Sequence, residues 1–159
     1  MATTVKSSTL KVTVEEEIVL NGVRQGAKNV KRISDINEIS KRIVTVTTTE
    51  CVMATFSAAV ASAGHYVAAN VRYMRFTNLD DTNFITLTFR NQDNDEVAIK
   101  LDAGQSLVWA GDNDNGMSAV FNATQDADAA SDTAFGSLTN IQADANNDSC
   151  DLEFFVASV

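Results

Sequence analysis

The chain has 159 residues, 45% of them hydrophobic and 21% charged, with a formal net charge of −9. A chain of this length buries about 68–70% of the surface it exposes when unfolded, so it folds as one domain without help from a metal or a disulfide. The composition excludes intrinsic disorder, the acidic balance argues against direct nucleic-acid binding, and no apolar run reaches the roughly 18–20 residues of a membrane-spanning helix.

Residues 1–8 are polar and lack an apolar segment behind a basic start, which predicts an extended N-terminal arm rather than a secretory signal. Leu10, Val12 and Val14 then alternate with Lys11, Thr13 and Glu15, and Ile18 and Leu20 carry the apolar pattern past Glu15-Glu16-Glu17. This spacing predicts a strand over residues 9–20. Asn21-Gly22 supplies the positive φ angles of a tight hairpin turn, while the mixed residues 23–32 define the returning strand less sharply.

Ile33, Ile36 and Ile39 recur at a spacing of three, and residues 34–40 are expected to form an irregular crossing. From Lys41 to Thr49 the chain is β-branched, and restricted χ1 rotamers favour a strand there. The small residues 57–63 before Gly64 fit either a short helix ended by a left-handed glycine or a loop.

Residues 71–77, 84–90, 96–101 and 106–109 read as short strands with Asn, Asp and Gly between them, and apolar residues alternate with others over 85–90 and 97–101. The proline count is 0, so these residues make the turns. Such spacing predicts an all-β fold: an antiparallel β-sandwich, jelly-roll-like, with long polar loops and little helix, in a single domain over residues 1–159. Ile85, Leu87, Phe89, Val97, Ile99 and Leu101 are the expected core. Trp109, Tyr73, Phe76 and Phe84 are expected to join Phe89 in filling it. Residues 111–116 read as a turn, 117–122 as a strand, and 124–147 as a polar stretch containing an extended surface loop. Residues 151–159 are predicted to close the sheet as its last strand.

No residue pattern assembles an enzyme. The one histidine, His65, has no nucleophile motif around it and reads as a loop or strand-edge side chain, with a pH-sensitive contact as the alternative. Cys51 and Cys150 read as reduced, largely buried thiols, although spacing leaves a disulfide open. Loop aspartates raise the question of Ca²⁺, but the sixth and twelfth positions counted from Asp112 are Met117 and Ala123, and from Asp144 they are Ser149 and Phe155. Both fail the helix-loop-helix pattern. Asp112, Asp114, Asp126 and Asp128 remain weak candidates for an irregular Ca²⁺ site; no cofactor is expected.

Charge is distributed unevenly. Residues 101–159 contain ten Asp or Glu and no Lys or Arg. The positive cluster is Lys28, Lys31, Arg32, Lys41 and Arg42, and together with Asp112 and Asp114 it gives the expected interface residues.

Val71-Arg72-Tyr73-Met74-Arg75-Phe76-Thr77-Asn78-Leu79, Asp80-Asp81-Thr82-Asn83-Phe84-Ile85-Thr86-Leu87 and Ile99-Lys100-Leu101-Asp102-Ala103-Gly104-Gln105-Ser106-Leu107-Val108-Trp109 resemble segments of small virion proteins of tailed bacteriophages, particularly marine and cyanobacterial ones. The shared pattern is a strand ending in Asn-Leu, a hairpin, and Lys-Leu-x-Ala-Gly-x-Ser opening the next strand, over about a quarter of the chain. The resemblance implies a non-enzymatic virion structural protein assembled in the host cytoplasm. A capsid decoration or cement protein is expected first, contacting the major capsid protein, other virion proteins and copies of itself. A tail, neck or fibre-associated component is the neighbouring expectation, and a carbohydrate- or receptor-binding module is the expectation of another class.

Overall fold

A computed structural model describes residues 4–92, 94–110 and 138–159. The first part of the chain forms β1 (Ser8–Glu15), β2 (Val19–Leu20), β3 (Val23–Arg24) and β4 (Lys28–Ile36). There follow β5 (Glu38–Val46), β6 (Cys51–Ser57), β7 (His65–Val67), β8 (Val71–Asn78), β9 (Ile85–Asn91), β10 (Glu96–Leu101), β11 (Ser106–Ala110), β12 (Leu138–Ala145) and β13 (Cys150–Ser158). Among the described residues there is no α-helix; the one helical element is a three-residue 3₁₀ turn, Ala68–Asn70.

Two sheets face each other. One has the order β11-β8-β13-β5, the other β10-β9-β12-β6-β7, and every pairing is antiparallel except β6 with the short β7. With β7 set aside, the chain alternates between the sheets at each step but one, the β9–β10 hairpin. This is the strand order of a jelly roll, two Greek keys folded together. Long-range pairing holds it: β5 and β13 run side by side from Val46 opposite Cys150 to Glu38 opposite Ser158.

The strand alternation of the sequence fills the space between the sheets. Met74 and Phe76 of β8, Ile85, Leu87 and Phe89 of β9, and Leu152, Phe154 and Val156 of β13 are almost wholly buried there. The Phe76 ring stacks on Phe154 at 4.8 Å and meets Phe89 edge-on at 6.1 Å, while Tyr66 meets Phe154 edge-on at 5.9 Å. Aromatic pairs of this kind contribute about 0.5–1.5 kcal/mol beyond their buried area. Ile99 and Leu101 belong to this core as expected, but Val97 does not: it is 42% exposed. β10 is an edge strand, with β9 as its one neighbour in the sheet among the described residues.

Several elements differ from the sequence expectation. Strand β12 lies inside the stretch 124–147 read as polar, and it occupies the centre of its sheet between β9 and β6. Strand β13 is also central rather than closing an edge. Residues 34–40 form the end of β4 and the start of β5, with a corner at Asn37 and a positive φ of 61° at Asp35. Of the two readings of residues 57–63 the loop holds: Ser57 ends β6, residues 58–63 are a loop, and Gly64 takes the left-handed conformation at φ 86° without a helix before it. Tyr73 is buried, but on the outer face of its sheet; Trp109 and Phe84 are only half-buried, Trp109 against Phe89 at 5.7 Å and Phe84 beneath the Lys100 ammonium at 4.6 Å. The strand expected at 117–122 and the turn at 111–116 lie outside the described residues.

The segments that carry the resemblance meet at one end of the sandwich. The fully buried Asn78 side chain donates from Nδ2 to the carbonyls of Asn83 (2.8 Å) and Leu101 (3.1 Å), and its Oδ1 accepts from the Asp80 N–H at 3.0 Å. The Asn78 N–H donates to the Gln105 carbonyl at 3.0 Å, in a turn where Gly104 has φ 70°. Asp80 in turn accepts from the N–H groups of Asn83 and Thr82, which hold its carboxyl below the usual range. One asparagine thus ties the ends of β8 and β10 to the loop between β8 and β9.

Candidate interaction surfaces

Strands β1 to β4 form a single long hairpin outside the sandwich. β1 pairs with β4 from Leu10 opposite Ile33 to Glu15 opposite Lys28. Beyond an irregularity the hairpin continues: the Glu16 N–H donates to the Ala27 carbonyl at 2.9 Å and the Gln25 N–H to the Ile18 carbonyl at 3.0 Å. β2 and β3 complete it around Asn21 and Gly22, both with positive φ, as the Asn-Gly dipeptide predicts. The strand predicted over residues 9–20 is therefore split at the glutamate run. Gly26 is required at the irregularity, because a Cβ there would sit 2.0 Å from the Glu16 carbonyl oxygen.

The two halves of this arm have different surroundings. At its base, Leu10, Val12, Ile33 and Ile36 pack on Tyr73, Phe155 and Ala157, the outer face of the β11-β8-β13-β5 sheet. Ile33 and Ile36 are buried, whereas Val14 further along β1 is 46% exposed. The arm leaves the sheet there. Its tip carries Ile18, Val19, Leu20 and Val23, which are 52%, 63%, 58% and 56% exposed. The signal for this surface was in the sequence: three adjacent aliphatic residues, Ile18-Val19-Leu20, along an extended ribbon leave neither face polar.

A groove of about 300 Å³ lies where the arm meets the sheet, lined on one side by Leu10, Val12 and Val14 and on the other by Tyr73, Val108 and Phe155. Lys11 and Arg75 also border it. β1 pairs only with β4 among the described residues, so its other edge is open beside this groove. Arg75 and Lys41 both pair with Glu153, Lys41 at 2.9 Å, and their hydrogen bonds hold the Glu153 carboxyl below its ordinary range.

The expected basic cluster does not form as one patch. Lys28, Lys31 and Arg32 lie on β4, exposed, with Lys28 paired to Glu15 at 2.9 Å. Lys41 and Arg42 are neighbours in β5 and point to opposite faces, as strand alternation demands. Lys41 is neutralised on the outer face, while Arg42 turns toward the core, donating from Nη2 to the Met53 carbonyl at 3.1 Å with its guanidinium 6.0 Å from the Phe154 ring centre. Asp112, Asp114, Asp126 and Asp128 lie outside the described residues. Among the described residues no three His, Cys, Asp or Glu side chains gather as a metal-ligand set.

A second cleft, of about 410 Å³, opens between β5 and β6 and is lined by Arg42, Cys51, Met53, Gly64 and His65 among others. Both cysteines are free thiols. Burial, with Glu50 and Asp144 nearby, pushes the Cys51 thiol up, so the cleft opposes the thiolate that a Cys–His nucleophile requires. The Cys51 Sγ instead lies 3.6 Å from the Ala143 carbonyl as a weak donor.

No family model, curated protein or solved structure matches this chain.

Proposed function

We propose that this chain is a non-enzymatic structural protein of a tailed-bacteriophage virion, a capsid decoration or cement protein that bridges neighbouring capsid subunits. The observation that carries the reading is the arm, a hairpin whose aliphatic tip stands clear of a sandwich already furnished with its own core. Contiguous apolar surface of this kind marks an interaction site. The jelly roll supports the same reading, since capsid domains use it, although lectin domains do so as well. A carbohydrate platform would need aromatic rings exposed together, and the large exposed hydrophobic residues among those described are all aliphatic. Partners on this reading are the major capsid protein, other virion proteins and further copies of the chain.

Electron microscopy of the purified particle, with this chain located by labelling, tests the reading. Density between capsid subunits is the expected result. Density on the tail, neck or fibre would replace decoration with a tail-associated role, and absence from every particle would overturn the reading.

A further inference from the structure

We infer that the arm tip of one copy docks in the groove between arm and sheet of a second copy. The inference rests on reading the arm as a docking element, and it names what the arm docks on. Tip and groove have matching chemistry. The tip presents Ile18, Val19, Leu20 and Val23, and the groove presents Leu10, Val12, Val14, Val108, Tyr73 and Phe155. Val14 and Val108, which border the groove, are 46% and 41% exposed, so both surfaces leave apolar area in water until they meet.

Charge complementarity adds a register. Of the three glutamates leading to the tip, Glu15 pairs with Lys28 and Glu17 with Arg24, whereas Glu16 has no ion pair among the described residues. Beside the groove Arg75 is engaged by Glu153, whereas Lys11 has no ion pair among the described residues. A tip entering the groove of another copy brings the uncompensated anion toward the uncompensated cation. The open edge of β1 also offers backbone hydrogen bonds to an incoming strand.

Tip and groove are different surfaces, so the contact is head-to-tail and propagates into a ring or chain unless two copies exchange arms reciprocally. The tip offers four aliphatic side chains, against the roughly 20–30 residues a side of a stable interface. A single contact is therefore weak, and repetition around a particle or a ring multiplies it. The distal half of the arm, residues 16–21, reaches about 20 Å at about 3.3 Å per residue, enough to cross into a neighbouring molecule.

Sedimentation of the full chain over a wide concentration range tests the inference. The wild type should self-associate; Leu20→Asp should raise the dissociation constant at least about tenfold, because it removes a buried Leu and adds a charge. Glu16→Lys should weaken association, and adding Lys11→Glu to it should restore association. Mixing Leu20→Cys chains with Val108→Cys chains under mild oxidation should give the mixed cross-linked dimer. A wild type that stays monomeric throughout, or Leu20→Cys chains that cross-link only to each other, would overturn the proposal. If Leu20→Asp abolishes binding to particles but leaves self-association unchanged, the second copy is the wrong occupant and the virion reading stands. If tip and groove join copies of a chain found on no particle, the virion reading fails and this contact stands.

Discussion

Asn78→Ala should be among the most damaging polar substitutions in this protein. It removes two donated hydrogen bonds and one accepted bond at a site with 0% exposure. The Leu101 carbonyl belongs to a residue that is 1% exposed, so leaving it unpaired costs about 1–3 kcal/mol. Asn83 and Asp80 are half-buried and regain some hydration, so each of those bonds accounts for about 0.5–1.5 kcal/mol. The sum centres on about 4 kcal/mol, or about 8–16 °C in Tm for a domain of this size. Asn78→Asp keeps the acceptor for Asp80 but cannot donate to either carbonyl and adds a buried charge, so it should be at least as harmful. Urea denaturation of both variants provides the measurement. A loss below about 1 kcal/mol for Asn78→Ala, or an Asn78→Asp variant as stable as wild type, would refute the reasoning.

Phe154→Ala removes the ring that stacks on Phe76 and meets Tyr66, and should cost about 3–5 kcal/mol in the same assay. Glu153 has a carboxyl lowered by its hydrogen bonds to Lys41 and Arg75, so its contribution is complete above the unfolded pKa and is lost as pH falls through the folded one. Glu153→Gln should therefore flatten the decline of Tm on acidification, measured by calorimetry from neutral pH downward. Cys150 is buried and its thiol is pushed up by burial and by Asp80, Asp148 and Asp151, so it should stay unreactive to a thiol reagent at neutral pH until the protein unfolds. Replacing residues 17–25 by a tight turn should leave Tm unchanged, whereas removing residues 1–36 should lower it, because Ile33 and Ile36 are core residues of the outer layer.

What could be read from the sequence was local. Strands β9 and β10 alternate cleanly over short spans, β8 and β11 are short apolar runs bounded by turn residues, and Asn21-Gly22 fixes its own turn, so all of these emerge from neighbouring residues alone. β12 was hidden because Ala143, Asp144 and Ala145 are poor strand formers; they are held in place by pairing with β6 and β9, and the small alanines fit a crowded interior. The burial of Val97 depends on whether β10 has a neighbour beyond it, and that is set by topology rather than by the residue itself. The jelly-roll order requires β5 to pair with β13 across more than a hundred residues, a distance over which periodicity carries no information. The basic cluster failed for a local reason that was legible, since adjacent Lys41 and Arg42 cannot share a face of a strand. The residues Asp112 and Asp114 expected at an interface fall outside the described residues, and the arm tip is the surface on which the proposed function rests.

The arm obeys two sequence rules along one hairpin, and the change between them locates the docking element. In its base Leu10 and Val12 alternate with Lys11 and Thr13, the pattern of a ribbon with one face on protein and one in water. Past Glu16 the alternation stops: Ile18, Val19 and Leu20 place aliphatic side chains on both faces, and Val23 opposite Leu20 extends the apolar surface across the turn. A ribbon covered on neither side pays for that pattern in exposed area, and a ribbon gripped on both sides does not. The charges follow the same division. Glu15 and Glu17 are neutralised within the arm by Lys28 and Arg24, stabilising the hairpin itself, while Glu16, where the two rules meet, has no ion pair among the described residues. A hairpin written for burial on both faces, with one uncompensated charge at its neck, requires a cleft with apolar walls and a cation at the rim, and the groove beside β1 meets both conditions.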